Sequence, residues 1–198
     1  MIAALYVKTD GPYFGLDNVD PWDIQRDARG YDEHGPGYPV IAHPPCNHWS
    51  MLANVNAARW STFKVGDDAG CFAAAVRSVQ IHGGVLEHPA YSMAWSAFNL
   101  PEARRGCWTG SLTDPVGGVS TMVSQSAYGH VARKQTWLYA VGCVPLPMRW
   151  EDVRTDTVVG AGVNSGECTS SRRATSSEAI ETPPAFRSAL IALTESVR

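Results

Sequence analysis

Short apolar runs, each closed by Gly, Pro or Asp, alternate along this chain with stretches of helical spacing. Ile2 to Val7 is continuously apolar and runs into the turn signal Thr9-Asp10-Gly11-Pro12. That pattern predicts a buried strand. Tyr38 to Ala42 predicts a second, stopped by Pro44-Pro45, which have no N–H to give a sheet. Between them, residues 17–37 are polar and rich in Asp, Gly and Pro, and read as mostly loop. Over 67–82 the apolar residues Phe72, Ala75, Val76 and Val79 recur at helical spacing. Asp67 or Asp68 is placed to cap this helix, and Gly83-Gly84 to stop it. Gly84 to Glu87 predicts a third strand, residues 91–99 a short helix or irregular turn, and 100–118 a loop. Strands are expected at 120–126 and 136–142. Residues 151–181 are polar and predict a loop or lid insertion. Thr182-Pro183-Pro184 opens a last helix with Phe186, Leu190, Ile191 and Leu193 on one face. Alternating strands and helices, with strands nearly all apolar, predict one α/β domain over 1–198 with a mostly parallel sheet flanked by helices.

Composition narrows the partners. The chain has 198 residues, enough for a core without disulfide or metal staples. Its 16 basic and 19 acidic residues give a net charge of -3, which excludes a purely electrostatic binder of nucleic acid. No apolar stretch approaches a membrane span, and the start lacks a basic leader and cleavage site, so a cytoplasmic protein is expected. The basic residues are Arg-rich, Lys occurring only at 8, 64 and 134. Cys46, Cys71, Cys107, Cys143 and Cys168 are odd in number and widely spaced, which argues against a disulfide framework.

Candidate chemistry collects at strand ends, where open α/β sheets bind ligands. Cys46 follows the second strand and Glu87 closes the third. Tyr128-Gly129-His130 with Arg133 and Lys134 precedes the strand at 136–142. A thiol, a carboxylate and cations at one sheet edge would form a catalytic constellation.

Three motifs in this order carry a resemblance. Pro44-Pro45-Cys46 resembles the Pro-Pro-Cys motif of the DNA cytosine-C5 methyltransferase family, and Leu86-Glu87-His88-Pro89 stands where that family has Glu-Asn-Val. The run from Tyr128 to Gly142 resembles the family's Tyr-Gly, Arg-rich segment leading into a strand, and the terminal helix takes the place of its last motif. The chain also resembles compact phage and prophage proteins with Ala-His-Pro-Pro-Cys, Leu-Glu-His-Pro and Arg-Lys-x-Thr-Trp patterns. The resemblance implies a Rossmann-like, methyltransferase-like fold in which Cys46 attacks C6 of a pyrimidine. It makes Glu87 the acid that binds the base edge, and Arg133 and Lys134 the cations that hold a phosphate or the pyrimidine O2. Pro45, Asn47, His48, Trp49, His88, Tyr128 and His130 would line the substrate. The substrate would be a pyrimidine base in DNA, flipped from its stack, or a free pyrimidine nucleotide. The cofactor would be S-adenosylmethionine, held by Asp10, Gly11, Phe14 and Asp20, with Asp23 as an alternative acid.

The sequence also departs from that pattern. Only about 33 residues separate Val7 from Val40, so the N-terminal, cofactor-binding half is expected to be truncated, without its helix and second strand. The family's two key arginines fall on Lys134 and Thr136, its Asn on His88, and no recognition domain fits between Gly142 and Thr182. A variant that adds or removes a C5 substituent without S-adenosylmethionine therefore stays open. So do a catalytically inactive phage decoy that binds nucleic acid or a host protein, and a domain whose Pro-Pro-Cys is accidental. His43, His48, His88 and His130 cluster near the motifs, but His43-x-x-Cys46-x-His48 is not a standard zinc spacing, and no metal is expected. A short chain with an incomplete pocket leaves completion by a homodimer open.

Overall fold

The computed structural model describes residues 1–159 and 172–198. Its frame is a seven-stranded sheet with helices on both faces, an α/β arrangement compatible with a Rossmann-like fold. The strands in chain order are β1 (Ile2–Leu5), β2 (Val19–Trp22), β3 (Val40–Ala42), β4 (Gly84–Pro89), β5 (Thr109–Gly110), β6 (Val119–Ser124) and β7 (Gln135–Val141). Across the sheet they lie in the order β2-β1-β3-β4-β7-β6-β5. The first four run parallel, whereas β7, β6 and β5 pair antiparallel, beginning with β7 against β4. Parallel order thus holds for only half the sheet. The physical reason is the β6–β7 segment, whose short linker returns the chain antiparallel and leaves no length for a crossover helix.

Each central strand is apolar throughout because both its faces are covered. Ala3 and Leu5 of β1 face one core with Val40, Ala42, Leu86 and helix α3 (Cys71–His82). Ile2 and Ala4 face the other with Ile41, Val85, Leu138 and helix α6 (Pro184–Glu195). The two predicted helices are these, and Pro184 sits in the first turn of α6. Asp68 caps α3: its carboxylate accepts from the backbone N–H of Gly70 at 3.0 Å and of Phe72 at 2.8 Å. Gly84 has φ +124, and a Cβ there would lie 2.0 Å from the Val40 carbonyl oxygen, so only glycine lets β3 and β4 meet.

Several expectations are corrected. Residues 17–37 are not mostly loop: they hold β2, a 3-10 turn over Ala28–Gly30 and helix α1 (Tyr31–His34). The second strand judged missing is therefore present. It is an edge strand, which is why it tolerates Pro21. The helix before it is absent, and a chain of turns joins β1 to β2. Helix α2 (Ala53–Arg59) follows the Cys46 loop, and helix α4 (Met93–Ala97) lies within 91–99. Glu87 lies inside β4, which extends to Pro89. Strand β6 ends at Ser124, and Gln125–Tyr128 form a 3-10 turn. In the expected insertion, strands β8 (Thr157–Val158) and β9 (Arg172–Arg173) pair, and helix α5 (Ser176–Ile180) follows with a capping box from Thr175 and Glu178. The rest of that segment, with Cys168, lies outside the described residues.

Candidate active site at the sheet edge

Parallel order brings the carboxyl ends of β1, β3 and β4 to one edge. Because β7 is antiparallel to β4, its amino end lies there too, with the carboxyl end of β6 beside it. Chain segments far apart in sequence therefore meet at this edge.

The Cys46 loop is fastened at several points. Its carbonyl accepts from the backbone N–H of Trp49 at 3.0 Å and of Ser50 at 2.9 Å. The Trp49 indole N–H donates to Asp68 at 2.8 Å, and the Trp49 carbonyl accepts from the Met93 N–H at 2.9 Å. Cys46 itself is half-buried. Burial raises its thiol above the ordinary cysteine range, the Glu87 charge adds to that rise, and Lys134 opposes it. The resting side chain is a protonated thiol.

Glu87 stands at the centre of a hydrogen-bonded chain. His43, one residue past β3, shares a 3.0 Å bond from Nδ1 to Glu87 Oε2. The Nε2 of the same ring meets the Tyr13 hydroxyl at 2.9 Å. On the other side the Gln125 amide donates to Glu87 Oε1 at 3.2 Å and to Thr136 Oγ1 at 3.0 Å. Burial works to raise the Glu87 carboxyl, but the His43 bond and the surrounding positive charge of His43 and Lys134 outweigh it and hold it well below the usual carboxylate range. Burial and the Glu87 charge push the Tyr13 hydroxyl far up, so it stays protonated.

The strand register thus sets Cys46, Glu87 and Lys134 at one sheet edge, where the Lys134 ammonium donates to the Glu181 carbonyl at 3.3 Å, and sends other expected residues elsewhere. Arg133 pairs with Asp152, which also holds Arg105 at 2.9 Å. Pro45 and Asn47 are exposed beside the thiol. His48 stacks on Phe63 with ring centres 4.3 Å apart and bonds the Lys64 carbonyl. His88 is fully buried on the opposite face, edge-on to Phe72, and desolvation drives it down to about 4. The Tyr128 hydroxyl accepts from the Arg149 N–H, and His130 is fixed between Ala132 and the Glu178 carbonyl. Neither makes a hydrogen bond to Cys46 or Glu87. Tyr13 and Gln125 carry no motif in the sequence, Thr136 stands out only as the place of a family arginine, and His43 shows no sign of a place beside Glu87. Gln125 and His43 do lie next to strand ends, whereas Tyr13 sits in the turns between β1 and β2.

The expected cofactor residues have local roles. Asp10 is exposed in a left-handed turn, and Gly11 donates its N–H to Lys8 O at 2.9 Å. Phe14 packs against the α6-side core. Asp20 accepts from Arg26 and from the Trp22 indole. Asp23, just past β2, accepts from Thr9 Oγ1 at 2.6 Å and from the N–H groups of Gln25 and Arg26. These residues do not fit S-adenosylmethionine as they stand, because the acids that would take a ribose are already engaged. No group of three or more metal-ligating side chains occurs among the described residues, and no helix there is long and apolar enough to cross a membrane. A cleft of about 660 Å³ opens beside the edge, lined by Tyr91, Trp95, Trp137 and Asn99. Comparison of the chain with protein-family models, with curated proteins and with solved structures finds no match.

Proposed function

We propose that the protein is an enzyme that adds the Cys46 thiol to C6 of a pyrimidine base and so makes C5 reactive. The motif resemblance implies this half-reaction. One observation carries the reading: β3 pairs parallel with β4, and β4 antiparallel with β7, so Cys46, Glu87 and Lys134, remote in sequence, stand at one sheet edge.

The steps balance without a further reagent. The thiol gives its proton to solvent, and the Lys134 ammonium offsets the thiolate charge. The sulfur–C6 bond forms as the C5=C6 electron pair shifts to C5 and the N3 end of the ring, where Glu87 holds the base edge. A solvent proton enters at C5 and the original C5 hydrogen leaves as a proton. Elimination then restores the ring and the thiol. No step is routed through S-adenosylmethionine.

The test is exchange of the C5 hydrogen in deuterium oxide, followed by proton NMR. Substrates are deoxycytidine monophosphate and a cytosine-containing single-stranded oligonucleotide. The wild type is expected to exchange C5–H, and Cys46→Ser to lose exchange while keeping its fold. Absence of exchange with nucleotide, single strand and duplex alike would overturn the reading.

A further inference from the structure

A second site lies on the other face of the sheet. Trp137 of β7 stands directly opposite His88 of β4, and so on the face turned away from Glu87. There it helps line the cleft of about 660 Å³. Its ring centre lies 5.5 Å from that of Tyr91 and 5.4 Å from that of Trp95, with planes inclined by 57° and 58°. All three rings line the cleft, and neither contact is a flat stack that would hide their faces. Tyr91 is held at the rim in a conformation that a bulky side chain rarely adopts, with φ +63, although half its surface is exposed. Its neighbours pin it there. The Ala90 N–H donates to the Gln135 carbonyl at 3.0 Å, and Ser92 Oγ caps α4 by accepting from the Ala94 N–H at 3.2 Å. Asn99, past the other end of α4, is also left-handed, at φ +52, and lines the same cleft. Strain of this kind collects at ligand sites.

The charge of the lining sets the class of ligand. Among the described residues that line the cleft, Glu102 alone is charged, and none is basic. Such a lining does not suit a phosphate or a carboxylate. The face of an aromatic ring attracts a cation, and a carboxylate beside it adds a full charge of the same sign. Glu102 is paired with Arg104 at 2.6 Å, and both side chains are well exposed. An exposed pair is weak, so an incoming cation can take the place of Arg104. We propose that this cleft binds an organic cation of the alkylammonium class, with Tyr91 and Trp137 facing the ammonium head and Glu102 as its counter-ion. The site uses neither Cys46 nor Glu87, so it stands or falls apart from the proposed function.

The experiment titrates the full chain with choline and with its uncharged isostere, in which carbon replaces the nitrogen. The indole N–H resonances of Trp95 and Trp137 report binding by NMR. Choline is expected to shift both. The isostere keeps the shape and loses the charge, and is expected to bind roughly two- to thirtyfold more weakly, the worth of a cation–π contact. Tyr91→Phe keeps a ring face and should keep choline binding, whereas Tyr91→Leu should lose it several-fold. Glu102→Gln should weaken binding. Arg104→Gln frees Glu102 and removes a like charge, so it should strengthen binding, a gain that a damaged fold cannot produce. These three positions are exposed, and circular dichroism checks that each variant keeps its fold. A free amine and the ammonium of a lysine in a partner protein share this chemistry. Spermidine and a lysine capped at both ends separate them, and tighter binding of either supports the site and names its source. Equal binding of choline and its isostere would overturn the proposal. So would unmoved Trp95 and Trp137 resonances with choline, spermidine and capped lysine alike.

Discussion

Asp68 offers a sharp test of how the Cys46 loop is held. Its carboxylate is 9% exposed and accepts three hydrogen bonds: Phe72 N–H at 2.8 Å, Gly70 N–H at 3.0 Å and the Trp49 indole at 2.8 Å. Two of these close the start of α3 and the third ties down the loop that carries Cys46. Asp68→Ala leaves the Phe72 and Trp49 donors buried without a partner, at about 1–3 kcal/mol each. The Phe72 bond is itself the helix cap and is counted once. The sum, allowing for relaxation, is about 2–5 kcal/mol, or a fall in Tm of about 10 °C for a chain of this size. Asp68→Asn separates the parts. Its one oxygen can keep the Phe72 and Trp49 bonds, leaving the amide to face the more exposed Gly70 N–H, so the expected loss is about 1–2 kcal/mol. The assay is urea unfolding followed by far-UV circular dichroism, with an unchanged slope confirming that only stability has moved. An Asp68→Ala variant within about 1 kcal/mol of wild type would refute the reasoning, because one buried and two half-buried bonds would then be worth almost nothing.

Gly84→Ala is expected to abolish soluble, folded protein, since its Cβ would collide with the Val40 carbonyl across the β3–β4 ladder; expression and circular dichroism check this. The folded Glu87 carboxyl titrates below its unfolded value. It therefore stabilises the native state above the ordinary carboxylate range, and that contribution is lost as pH falls towards about 2. Glu87→Gln should flatten this acid limb in a pH series of melting temperatures. Because its thiol is raised, Cys46 should alkylate slowly with iodoacetamide at pH 7 and faster as pH climbs past 9, as peptide mass mapping would report. Leu190→Ala should cost about 2–5 kcal/mol in urea unfolding, since that side chain is fully buried between α6 and the sheet.

Strands and helices with a local pattern are legible in the residues alone. Buried strands β1, β3 and β4 declare themselves as apolar runs closed by Pro or polar turns, and α3 and α6 by their period. Cys46, Glu87 and Lys134 stood out for the same local reason, each lying at or beside a strand end. Strand β2 was invisible because an edge strand needs only part of its surface apolar, and Asp20 and Pro21 disguise it. Tertiary structure alone decided which polar groups meet. Nothing near Tyr13 or Gln125 in the sequence marks a partner. Their roles arise because the parallel alignment of β1, β3 and β4 and the reversed β7 put five strand ends at one edge. The same packing turned Arg133 to Asp152 and buried His88 behind the sheet. A hydrogen bond is fixed by position and direction in space, and residue order carries that information only through the fold.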